Sequence, residues 1–227
     1  MTAAPLTSER GAALALVPIA ATIFYYLLPD EWQAFWPIQF FPQVCAYVAL
    51  SFWSRWNPTP LQRLGLSRDN LTQAVPVGVA VGVVLGLCNL GVILLLMPRL
   101  GFDYHFLADT PHARIPLWLM LPWFIAFIAF MVELNFRGFL LGRLETLGTP
   151  VAMAIPLSAV LFAFDPFMVA TFRHLHWIAV WDGLIWASLQ HRRRNLYIPI
   201  MAHSIEVVVL YSVMRRVLAA NSPGTIW

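Results

Sequence analysis

Residues 130–145 read FMVELNFRGFLLGRLE, an apolar run in which Glu133 and Arg137 stand four positions apart. On a helix that spacing places both on one face, where a carboxylate and a guanidinium neutralise each other. The flanking chain tells which solvent such a helix meets. Of the 227 residues 60% are hydrophobic and 11% charged, with ten Trp, which excludes an ordinary water-soluble domain. Working outward, stretches of about 20 apolar residues bounded by charge, Pro or Gly fall at 11–29, 36–53, 72–97, 116–141, 150–169, 175–190 and 196–214. Gln39 and Gln43 interrupt the second of these, and Asp182 the sixth. The expected fold class is therefore all-α, a polytopic transmembrane helical bundle of about seven spans in one membrane domain.

Charge serves here for orientation. All 14 basic side chains are Arg, and an excess of +3 scattered along the chain excludes nucleic acid as a partner. Arg10, Arg55, Arg63, Arg68, Arg143 and the run Arg192–Arg194 fall on the side shared by the N-terminus and the even loops, against Arg99, Arg114, Arg173, Arg215 and Arg216 opposite. Positively charged loops stay in the cytoplasm, so the N-terminus is expected there, in a bacterial-type inner membrane. The polar start MTAAPLTSER lacks the features of a cleavable signal, and the first span reads as an uncleaved anchor. Cys45 and Cys88 sit in apolar stretches and imply no disulfide framework or metal clip.

Polar residues inside spans carry most of the functional information in such a chain. Taken alone, Glu133 and Arg137 read as an ion pair locking the fourth helix to its neighbours, with Gly138 allowing close helix approach. The letters around them say more. ELNFRGFLLGRL resembles the first motif, EExxxR, of the CAAX protease and bacteriocin-processing (CPBP, or Abi) family of membrane proteins; downstream, LSAVLFAF resembles the helix of its FxxxH motif and LYIPIMAHSIEVV that of its HxxxN motif. WDGLIWASLQHRRRNL between them has the family's Gly-containing helix and basic turn. The resemblance spans residues 116–214, a core of four helices preceded by N-terminal helices and connectors in 1–115.

In that family the first Glu of EExxxR and the His of FxxxH activate a water for attack on a peptide carbonyl, and the His and Asn of HxxxN stabilise the oxyanion. Such chemistry needs a base, a polarising imidazole and preorganised donors. Carried over by position, the second Glu falls on Glu133, the Arg on Arg137, the Phe on Phe162 and the last His on His203. The first Glu falls on Val132, the second-motif His on Pro166 and the Asn on Val207. The resemblance thus implies retained architecture with lost chemistry. Glu133 and Arg137 are expected to persist as an interhelical ion pair, and positions 132, 166, 203 and 207 to converge between the fourth, fifth and seventh helices.

Nearby polar residues keep a second reading open. Glu206, on the helix face of His203, is a candidate relocated base, with His176 as its companion; Asp165 and His174 also stand near the vacancies. The two functional expectations are a catalytically degenerate scaffold or partner-binding subunit, which the lost residues favour, and an active glutamate- and histidine-dependent intramembrane endopeptidase of the CAAX-processing type, acting on prenylated or leader peptides. Expected partners are membrane lipids and other membrane proteins. No cofactor or metal is expected, because His174 and His176, two apart, point to different helix faces.

Overall fold

The computed structural model describes residues 9–67 and 71–221. The N-terminal MTAAPLTS and Arg68, one of the arginines used for orientation, lie outside them. The described residues form helices and no strand: α1 Ala12–Tyr26, α2 Phe41–Trp56, α3 Leu71–Arg99, α4 Leu117–Thr146, α5 Val151–Ala163, α6 Pro166–Phe172, α7 Ile178–Arg193 and α8 Tyr197–Asn221, with short helical turns in the connections.

The expected spans differ in how far they reach. Among the described residues three helices are long and apolar enough to cross a bilayer: α3 with 29 residues, α4 with 30 and α8 over the 24 residues Tyr197–Ala220. The fifth span is broken: α5 and the segment Pro166–Leu175 meet at a bend of 53°. α2 and α7 hold 16 residues each, about 24 Å of helix, which falls short of a hydrocarbon core of about 30 Å. The reasons are local. Pro37 and Pro42 each sit in the first turn of a new helix, splitting 36–53 into a turn and α2. α7 ends where Arg194 takes a left-handed backbone, with φ 51°.

α3 and α8 form the closest helix contact. Gly78, Gly82 and Gly86 recur every four residues along one face of α3, and α8 lies directly on them. A Cβ built on Gly82 would stand 2.5 Å from the Ala202 carbonyl oxygen and 2.8 Å from Cβ of Ile205; one on Gly78 would stand 2.6 Å from Cβ of Met201. Only glycine permits backbones to approach so closely, and in lipid that approach substitutes van der Waals contact for the missing hydrophobic drive. α5 and α7 make a second tight pair, with Gly183 of α7 against Ala159 of α5.

Two large apolar clusters fill the described interior with a polar layer between them, beside a small third one of Leu66, Ala129, Leu196 and Ile200. One cluster contains Trp53, Leu85, Phe139, Phe162, Trp186 and Ala202; the other contains Leu90, Met120, Phe124, Ile178, Leu210 and Tyr211. Along each of α3, α4, α7 and α8 the chain passes from one cluster to the other, and at the passage stand Asn89, Glu133, Asp182, and His203 with Glu206. Arginines of the two sets hold different partners. Glu9 receives Arg143 Nε at 2.7 Å and Arg63 Nη1 at 3.8 Å, while Glu145 pairs with His191 and Arg194. Arg215 donates to the carbonyls of His112 and Ile115.

Candidate functional site

α4 is wound unevenly where the site begins. Wide π-helical turns occupy Phe124–Ile128 and Leu134–Leu141, with Glu133 immediately before the second; such turns are uncommon and recur at functional positions. Glu133 and Arg137 are both fully buried. Arg137 Nη1 donates to Glu133 Oε1 at 3.4 Å, and Nε approaches Oε2 at 3.3 Å as an ion-pair contact rather than an aligned hydrogen bond. The pair lies within one helix, not between helices as expected; the link across the bundle comes from others. His203 of α8 places Nδ1 3.0 Å from Glu133 Oε1, and the guanidinium lies 4.3 Å from the Phe162 ring centre and 5.2 Å from that of Trp186. Trp186 in turn stacks on His203 with ring centres 4.5 Å apart. Gly183 makes room for this arrangement, since a Cβ there would stand 2.9 Å from Arg137 Nη2.

A second buried group stands in the same layer. Asn89 of α3 donates from Nδ2 to Asp182 Oδ2 at 3.0 Å and to Glu206 Oε1 at 2.7 Å. Its Oδ1 accepts from the indole of Trp181 at 2.9 Å, and because an indole nitrogen only donates, this fixes the orientation of the amide. The glycine seam delivers Asn89, three residues past Gly86, to the face of α8 that carries Glu206. Asp182 and Glu206 are 3% and 7% exposed, and each keeps one oxygen, Oδ1 and Oε2, without a hydrogen-bond partner.

Both groups border one cavity of about 130 Å³. Val132, Phe162, His203 and Val207 line it together with Asn89, Asp182, Glu206, His112 and His176. Glu133 and Arg137 stand behind the wall, reached through His203. Pro166 is not on the wall, although Asp165 and Phe167 are. Its displacement has a physical cause. α5 stops at Ala163, and Asp165 caps a new helix by accepting from the Phe167 N–H at 3.1 Å, with Pro166 in the first turn, where its missing donor costs nothing. Position 166 therefore belongs to α6 and does not continue the helix of Phe162. Gln43 donates to the same Asp165 at 2.9 Å. His174 stacks on Phe102 away from the cavity, and His176 holds the Arg173 carbonyl through Nδ1.

Sequence reasoning singled out Glu133, Arg137, His203 and Glu206 but not Asn89 or His112. A lone amide in the middle of a span as apolar as 72–97 is itself a signal, because an unpaired amide in hydrocarbon is costly.

No curated protein and no solved structure matches the chain significantly. Residues 114–209 match the family model described as Type II CAAX prenyl endopeptidase Rce1-like. That stretch runs from the start of α4 through the part of α8 bearing His203 and Glu206, so the helical core formed by residues 114–209 is similar to the CAAX prenyl endopeptidase (CPBP) family.

Proposed function

We propose that this integral membrane protein is a catalytically degenerate member of the family, acting as a partner-binding subunit in the bilayer. The observation that carries the reading is the apolar character of the cavity wall where the family places its water-activating and oxyanion groups: Val132 and Val207 stand there, and Pro166 is outside it. The remaining motif carboxylate is occupied, since Glu133 is held by Arg137 and His203. What remains is a partly open, mostly apolar cavity of about 130 Å³ with a few polar groups, suited to holding a side chain of a partner without cutting it.

A second reading, an endopeptidase rebuilt on Glu206, is favoured by one observation: the partnerless oxygens of Glu206 and Asp182 on a cavity shared with His203. Incubating the purified full chain in detergent with a prenylated CAAX peptide and with leader-bearing peptides separates the two. No cleavage is expected; cleavage that disappears in Glu206→Gln and His203→Ala would establish the second reading instead. The end bearing Arg10, Arg143 and Arg192–Arg194 is assigned to the cytoplasm. An impermeant thiol reagent should label a cysteine at position 193 only after the membrane is opened.

A further inference from the structure

We infer that Asp182, Glu206 and Asn89 form a binding site for a single ammonium group carried on a small apolar stem. The charge of the two buried groups differs. Arg137 is matched by Glu133 at contact distance, whereas among the described residues no cation forms an ion pair with Asp182 or Glu206. Asn89 supplies one N–H to each carboxyl group and has no further donor to give. The remaining oxygens, Asp182 Oδ1 and Glu206 Oε2, are buried acceptors without donors on the wall of a cavity.

His203 adds a third acceptor to that wall. With Nδ1–H donated to Glu133, the neutral ring leaves Nε2 as an acceptor. Asp182 and Glu206 also hydrogen-bond each other, so the pair holds one proton and one negative charge. An ammonium, with one positive charge and three N–H donors, suits that charge and the three acceptors. The rest of the cavity is apolar and aromatic, with Ile93, Ile128, Val132, Phe162 and Leu210 on its wall. Its volume of about 130 Å³ is close to the roughly 150 Å³ at which a buried cavity accepts benzene. The Trp186 indole N–H, also buried and partnerless on this wall, suits an additional acceptor on the ligand.

The site supplies the ligand chemistry of the binding function proposed above. Its affinity is measured without reference to proteolysis, so either can fail alone. The probe is benzylamine, compared by calorimetry with benzyl alcohol of nearly the same shape, on the detergent-solubilised full chain. Benzylamine should bind at least about tenfold more tightly, the factor a hydrogen bond to a charged group contributes. Asp182→Asn and Glu206→Gln should each reduce that preference and together abolish it, and the affinity ratio of amine to alcohol in each variant accounts for partition into the micelle. Equal affinities of amine and alcohol in the wild-type protein, a comparison that needs no variant to fold, would overturn the assignment. So would an amine preference that survives both substitutions, or a thermal stabilisation by calcium chloride matching that by benzylamine at equal concentration.

Discussion

Glu133 meets its counter-charge four residues along its own helix, whereas Asp182 and Glu206, on two other helices, meet each other and the amide of Asn89. Both groups lie in one polar layer, bordered by the same apolar clusters. The first is electrostatically complete without a ligand: guanidinium, carboxylate, imidazole and the aromatic faces of Phe162 and Trp186 enclose one another. The second is oriented but incomplete, with its amide locked and two oxygens unused. A membrane interior tolerates ionisable groups that are paired or that serve a site, and the two groups illustrate these alternatives a few residues apart.

The largest expected effect comes from breaking the complete group. Glu133→Leu leaves Arg137 buried without its partner and should cost about 3–5 kcal/mol in thermal or denaturant unfolding, whereas Glu133→Leu combined with Arg137→Met should cost much less. A double variant no more stable than the single one would show that Arg137 has another counter-charge, and the contrast between the groups would disappear. Next come the glycines, one beside each group. Gly82→Ala drives a methyl group against the Ala202 carbonyl and Gly183→Ala drives one against Arg137 Nη2; each overpacking should cost about 1–3 kcal/mol. The two should differ in kind: Gly82→Ala should also weaken amine binding by separating Asn89 from Glu206. Equal amine affinity in both variants would mean that the seam does not position the amide.

The smallest effect is expected where the second group is neutralised. Asp182→Asn and Glu206→Gln keep the shape and remove an ionisable group that has no counter-charge at contact distance, so the ligand-free protein should change by no more than about 1 kcal/mol, or become more stable. A loss as large as that of Glu133→Leu would place a counter-charge at Asp182 or Glu206. Ser158→Ala, which removes the hydroxyl that donates to the Phe136 carbonyl at 2.8 Å, gives an internal scale for the loss of one buried hydrogen bond, about 1 kcal/mol.

The all-helical class was legible from hydropathy, and the family likeness from the letters around Glu133, Phe162 and His203. The lengths of the helices were less so. A window average joins Trp36 to Phe41 as one apolar run, while the fixed backbone of Pro37 and Pro42 divides it. Position 166 was misplaced for a related reason, since counting FxxxH assumes one continuous helix, and the cap at Asp165 starts another. The pairing of Glu133 with Arg137 was readable because it is local. The grouping of Asn89 with Asp182 and Glu206 was not, because it joins residues 93 and 117 positions apart, and no periodicity along one helix reports which face of another it meets. The glycines at 78, 82 and 86 are the exception: their four-residue repeat in an apolar span is a visible mark of a helix seam.

That seam also sets an order of events during synthesis. α3 is made early and α8 is the last described helix to leave the ribosome, so Asn89 waits in the membrane for the chain that carries His203 and Glu206. Until α8 settles on Gly78, Gly82 and Gly86, Glu133 lacks its imidazole and Glu206 lacks its amide. Without α8 these side chains would face the membrane lacking those partners, which is costly for buried polar groups. One glycine-lined face thus completes both polar groups together, so the seam couples the ion pair to the amide cluster during assembly.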